Sequence, residues 1–183
     1  MDTRPGKAYP LGATFDGTGT NFAIYSSVAT SVTLCLLDEE LNEMRIPMTE
    51  VDAWVWHVYV PQVRAGQRYG YRIDGPWDPQ NGLRCDPSKL LLDPYAKAIE
   101  GQLTDSMDLL SYQADDPLSL KGGDSAKATM HSIVVNPFFD WEGDHRPGHD
   151  YSETIIYEAH VKGMTMTHPE VPAEIRGTYA GMA

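Results

Sequence analysis

Between residues 21 and 73 the apolar positions recur in short alternating runs, each broken by polar, Gly or Pro residues. That period of two marks half-buried strands, not helices. The pattern predicts strands over 21–26, 32–37, 44–48, 54–60 and 67–73, joined by short connections. In the fourth, Trp54, Trp56, Val58 and Val60 fall on one face and Val55, His57 and Tyr59 on the other. One face is then free to pack on a second sheet, and an immunoglobulin-like sandwich is the common solution for this many strands.

After residue 73 the pattern changes. Asp74-Gly-Pro-Trp-Asp-Pro-Gln-Asn-Gly82 is rich in turn formers, with Trp77 its one large apolar group. The run 89–99 is apolar amid turns and is expected to pack against a neighbour. Residues 101–123 are polar, acidic and weakly patterned, which predicts a long surface connection or partial disorder. Residues 131–136 read as a strand and 140–150 as a polar loop. The run 155–161 is nearly continuously apolar, as in a strand buried on both faces of a parallel sheet. It predicts a βα architecture that begins near Tyr151 and is cut off. Residues beyond about 151 are therefore expected to be disordered, to fold back on the sandwich, or to pair with another copy.

The length of 183 residues suits one domain plus a fragment of another, and falls short of the roughly 250 residues of an α/β barrel. The expected domains are a sandwich over 8–100, a connector over 101–150 with an added strand near 131–136, and a truncated start of a second domain over 151–183. A net charge of −12 leaves no basic patch for nucleic acid or an anionic membrane, so neither is expected as a partner. A neutral polar ligand fits better. The N-terminus has no apolar signal-peptide core and no run approaches the roughly 20 apolar residues of a membrane span, which predicts a soluble, cytoplasmic chain. Cys35 and Cys85 lack metal or redox spacing and are expected to be free thiols.

Few motifs carry chemistry. Asp16-Gly-Thr-Gly-Thr-Asn21 lacks the third glycine and the following helix of a phosphate cradle, and reads as a hairpin turn. His145 and His149 have helical ligand spacing, but Pro147 and Gly148 between them forbid a regular helix, so no metal site is expected. Glu158 and His160 would share one face of a strand, where a structural role outweighs an acid–base pair. No nucleophile elbow or catalytic Cys–His pattern occurs, and no cofactor is implied. Aromatic residues remain: Trp54, Trp56, Tyr69, Tyr71, Trp77 and Tyr95 cluster mid-chain. Their flat faces suit sugar rings at about 1 kcal/mol per contact, although core packing explains most of them equally well. Trp77, Tyr71 and Trp56 are the candidate carbohydrate-binding residues, Trp77 foremost.

Four segments resemble bacterial glycogen debranching enzymes of the isoamylase type. They are Pro10-Leu-Gly-Ala-Thr-Phe-Asp-Gly-Thr-Gly-Thr-Asn-Phe-Ala-Ile-Tyr-Ser26, Tyr69-Gly-Tyr-Arg-Ile-Asp-Gly-Pro-Trp77, Lys89-Leu-Leu-Leu-Asp-Pro-Tyr-Ala96 and Tyr157-Glu-Ala-His-Val-Lys-Gly163. The resemblance implies an all-β, immunoglobulin-like sandwich of the early-set type, carbohydrate-binding module 48, followed by the truncated start of a (β/α)8 barrel. It implies hydrolysis of α-1,6 branch linkages in glycogen or limit dextrin. The family's catalytic carboxylates would lie on later barrel strands, so no catalytic residue is expected here. Retaining hydrolysis needs two carboxyl groups about 5–5.5 Å apart, which one strand cannot supply.

By the same resemblance Trp77 matches a sugar-contacting tryptophan of glycan-binding relatives, whereas Gly70 stands where a lysine is expected. Leu90 to Tyr95 would face the barrel, and Cys85 would be at least partly buried. The implied partners are an α-glucan (glycogen, limit dextrin or a malto-oligosaccharide) and the missing catalytic barrel. Three functions follow: the N-terminal module of a debranching hydrolase, inactive alone; an autonomous α-glucan-binding module; or a structural domain whose one partner is the barrel.

Overall fold

The computed structural model describes residues 1–183, which fall into two compact units, Met1–Phe138 and Phe139–Ala183. The first unit carries all the strands: β1 (Gly12–Phe15), β2 (Gly19–Tyr25), β3 (Ser31–Leu37), β4 (Glu43–Met48), β5 (Glu50–Asp52), β6 (Val55–Pro61), β7 (Arg68–Asp74), β8 (Trp77–Asp78), β9 (Leu83–Arg84), β10 (Ala98–Glu100) and β11 (His131–Ile133). One sheet has the order β1-β2-β6-β5, a second β10-β11-β7-β3-β4, and β8 and β9 form a small hairpin. Every ladder is antiparallel.

The two larger sheets make an all-β, immunoglobulin-like sandwich. Alternate residues of each point inward: Phe22, Ile24, Val58 and Val60 from the first meet Val32, Leu34, Leu36, Tyr69 and Tyr71 from the second. Phe22 and Tyr69 meet edge to face at 5.0 Å, and Tyr69 and Tyr71 at 5.9 Å. Burying such side chains, at about 1.5–3 kcal/mol each, is the main driving force for the sandwich.

Trp54 departs from the expected strand. Ala53 and Trp54 both adopt left-handed backbone, at φ 49° and 63°, and form the two-residue turn between β5 and β6. Trp54 is 61% exposed, while Trp56, Val58 and Val60 keep the predicted inward face.

The outer faces of both sheets are also covered. Across the first, the Lys7 amide donates to Asn21 Oδ1 at 2.7 Å and Asn21 Nδ2 returns a bond to the Lys7 carbonyl at 2.9 Å. On the second, Cys35 and Leu37 pack with Leu90 and Ala126 in a small apolar cluster. Leu91 pairs with Tyr71 through both backbone bonds, 2.9 and 2.8 Å, and extends the edge that β11 occupies. Leu90, expected to face another domain, is instead buried against its own sheet.

Residues 101–138 belong to this first unit and do not stand apart as a connector, because β10 and β11 add to the second sheet through β7. The segment 101–123 is ordered by its own turns and by the buried Lys89. Lys89 Nζ donates to the carbonyls of Asp108, Gly122 and Gly123 at 2.9, 2.9 and 2.6 Å, committing all three of its protons. Arg72, also buried, binds Glu43 and Asp124 through its guanidinium and the Pro87 and Ser88 carbonyls at 3.2 and 2.5 Å.

The second unit holds two short helices, α1 (Val161–Thr165) and α2 (Tyr179–Met182). The expected strand over 155–161 is absent. Ile155, Ile156 and Tyr157 are 95%, 74% and 80% exposed, and the chain enters α1 at Val161. A parallel strand exists only by pairing, and every strand of residues 1–183 is engaged in an antiparallel ladder elsewhere.

Candidate functional site

The β8–β9 hairpin sets Trp77 directly across from Arg84. Its turn is a single 3-10 turn, Pro79–Asn81, closed by Gly82 in the left-handed region at φ 80°. Cross-strand neighbours on one face lie within side-chain reach. Here the Arg84 guanidinium lies 5.7 Å from the centre of the Trp77 ring. It lies 5.8 Å from the centre of the Tyr112 ring, so one cation is flanked by two aromatics. Arg84 is exposed, and Trp77 and Tyr112 are half-buried.

Tyr112 arrives from the loop that Lys89 fastens. Tyr112 bridges Leu120, and the Lys121 amide donates to the Ser111 carbonyl at 2.8 Å, so residues 111–121 form a narrow double-backed strip. Asp116 closes its tip by accepting from the Leu118 amide at 3.1 Å and from the Ser119 hydroxyl, which with its backbone bonds holds its carboxyl below the ordinary range. The Trp77 indole Nε1 donates to the Leu118 carbonyl at 2.7 Å, joining hairpin and strip. Burial holds the Lys89 ammonium below its usual pKa; Asp86, 3.9 Å away, opposes that shift.

A cavity of about 140 Å³ lies beside the hairpin, lined by Arg84, Cys85, Asp86, Lys89 and Ser111 among others. Cys85 is half-buried, as expected, and both cysteines are free. Burial pushes the Cys35 thiol up to about 12, which makes it unreactive.

The other two candidate residues are placed differently from Trp77. Tyr71 is 0% exposed, in the middle of the sandwich, and offers no ring face to a ligand. Trp56 packs half-buried against the core, its Nε1 donating to the Ser26 carbonyl at 3.3 Å. Gly70 has no room for a side chain: a Cβ there would lie 2.9 Å from Leu90 Cδ1 and 2.9 Å from the Leu91 carbonyl oxygen. The face on which a lysine was expected is closed by this chain's own 90–91 segment.

Glu158 and His160 do not share a strand face. His160 caps α1, its Nδ1 accepting from the Gly163 amide at 3.0 Å. No group of three or more His, Cys, Asp or Glu side chains is arranged to hold a metal ion. No helix is long and apolar enough to cross a membrane.

Arg84 and Tyr112 escape a reading of the sequence, because their stack with Trp77 is built by tertiary contact. Lys89 left a signal: a lysine opening the apolar run Leu90-Leu-Leu92 needs fixed acceptors once buried.

Comparison with known proteins places the chain. Residues 10–96 match carbohydrate-binding module 48 (isoamylase N-terminal domain). The chain is 58% identical over 182 residues to a Mycobacterium tuberculosis protein named glycogen operon protein GlgX homolog, covering 98% of this chain and 25% of that protein. It is 46% identical over 185 residues to the glycogen debranching enzyme of Yersinia enterocolitica, covering 97% of this chain and 26% of that enzyme. The chain thus spans about a quarter of the length of these relatives. In fold it is similar to Klebsiella pneumoniae pullulanase complexed with maltotriose, with a TM-score of 0.58 and 20% identity over 96% of this chain and 15% of that one.

Proposed function

We propose, because residues 10–96 match carbohydrate-binding module 48, the isoamylase N-terminal domain, that this chain is the N-terminal module of a glycogen debranching enzyme. That enzyme is a glycoside hydrolase cleaving α-1,6-glucosidic branch linkages in glycogen or limit dextrin. The observation that carries the reading is the 58% identity sustained over 98% of the chain. The reacting carboxyl pair belongs to the part of the relatives that lies outside this chain. The exposed run Ile155–Tyr157 is apolar enough to serve as a strand once neighbouring barrel strands are supplied.

The module's own contribution is to hold an α-glucan at Trp77. Its half-exposed ring gives an apolar face to a sugar, and its N–H is already satisfied by Leu118. Electrophoresis of residues 1–183 through gels containing glycogen tests this: we expect retardation that Trp77→Ala abolishes, and no reducing-sugar release from limit dextrin. Turnover by the pure chain would refute the module reading. A second reading, a sandwich that serves only as a packing partner for a barrel, is favoured by the closed face over Gly70. It predicts no retardation, and added structure when the remainder of the protein is supplied in trans.

A further inference from the structure

We propose that Arg84 is the N–H donor to the sugar hydroxyl oxygens in the glucan site, with Trp77 and Tyr112 as its two aromatic walls. The inference rests on the glucan-binding reading and adds to it the residues that read the sugar's polar rim.

A guanidinium carries five N–H donors in a rigid plane. In Arg84 a single hydrogen bond is made, from Nη1 to the Pro117 carbonyl at 3.4 Å, which is long and weak. The charge is held in place by the rings, at 5.7 Å from Trp77 and 5.8 Å from Tyr112, with no carboxylate paired to it. Other lysines and arginines of this chain also lack a carboxylate partner; Arg84 differs from them in lying over two aromatic rings. The rings satisfy the cation electrostatically and leave its donors open.

Glucose presents what such a group takes. Its ring faces are apolar and stack on aromatics, and its neighbouring hydroxyl oxygens accept two parallel N–H bonds as a carboxylate does. A neutral diol also leaves the surrounding acidic surface undisturbed, whereas an anion must approach against it.

The arrangement is built to last. Tyr112 sits on the strip whose two ends Lys89 fastens through three carbonyls, and Leu118 of the same strip takes the Trp77 N–H. Both walls and the cation are therefore positioned before any ligand arrives, which lowers the ordering cost of binding.

Calorimetric titration of residues 1–183 with maltoheptaose decides the matter, using Trp77→Ala, Arg84→Lys, Arg84→Ala, Tyr112→Phe and Tyr112→Ala. Arg84 is exposed and Tyr112 half-buried, and melting of each variant checks that it folds. Loss of roughly tenfold or more in affinity is expected for both Arg84 variants and for Tyr112→Ala, with Tyr112→Phe close to wild type. Arg84→Lys is the discriminating variant, because lysine keeps the charge and loses the paired donors.

Wild-type affinity in both Arg84 variants, with binding still lost in Trp77→Ala, would overturn the assignment and leave the glucan reading standing. Full affinity in Arg84→Lys with loss in Arg84→Ala would overturn the paired-donor role in favour of a single charged donor, and displacement of the sugar by inorganic phosphate would overturn it in favour of an anion site. No binding by wild type at millimolar sugar would remove both readings together.

Discussion

Tyr69 donates its hydroxyl hydrogen to Asp93 Oδ2 at 2.7 Å, with both side chains inside the protein. The bond ties the central strand β7 to the segment leading away from Leu90. The other carboxylate oxygen accepts from the Tyr95 amide at 2.8 Å, and the Asp93 amide donates to Ser132 Oγ at 3.0 Å. Burial pushes the Asp93 carboxyl up, outweighing the pull of the Tyr95 and Tyr69 donors.

A native pKa above the unfolded one means that the native state binds the proton more tightly. The stabilisation is complete below the ordinary value of 3.8 and is lost as pH rises through the raised native value. Urea unfolding of wild type and Asp93→Asn across this window is therefore expected to favour Asn progressively as pH rises. A difference that moves toward wild type instead would mean that its donors hold the ionised form in preference to the acid.

Tyr71 gives a simpler test. Its hydroxyl is fully buried and has no hydrogen-bond partner. Removing it in Tyr71→Phe discards an unsatisfied polar group, so stability should stay level or rise by about 1 kcal/mol. Maltoheptaose affinity should not change, since Tyr71 has no surface to offer; a tenfold loss would return it to the sugar site.

Arg72 is the opposite case. Its guanidinium satisfies Glu43, Asp124 and two backbone carbonyls at once while only 4% exposed. Arg72→Met would leave Glu43 with Arg45 as its remaining charged partner and take the donor from the carbonyls of Pro87 and Ser88, at a cost of about 1–3 kcal/mol. The urea midpoint measures this, and a loss below 1 kcal/mol would show that water replaces the guanidinium freely.

At the β5–β6 turn the chain holds two non-glycine residues in left-handed backbone, each disfavoured by about 1–2 kcal/mol. Trp54→Gly should therefore raise stability by about 1 kcal/mol, because the exposed ring contributes little packing in return. A fall in melting temperature would reveal a packing role for the Trp54 ring.

The strands over 32–37, 44–48 and 67–73 were legible because alternation there is strong and the long ladders of β3 with β4 and of β3 with β7 run nearly their whole length, and β3, β4 and β7 follow within one residue at either end. The short edge strands β1, β5 and β10 carry too few apolar positions to announce themselves. Ala53-Trp54 lacks the Asn-Gly signal of its turn type, so Trp54 read as strand. Ile155 to Val161 read as strand by composition, but strand formation there requires partners that residues 1–183 do not provide. Trp77 was legible as an isolated aromatic among turn formers. Arg84 and Tyr112 were not, since their meeting depends on a strip of chain whose position is set by the burial of Lys89.

The covered flanks of the sandwich have a consequence for recognition. Residues such as Lys7 lie over part of one sheet, and Leu90 with Ala126 over part of the other, so each plane is narrowed for a polymer. A long glucan held at Trp77, as proposed, would then meet this module where the β8–β9 hairpin and the 111–121 strip come together. Contact there would be narrow and span few sugar units, so the proposed site would hold one branch of a bulky particle and leave the rest free to turn.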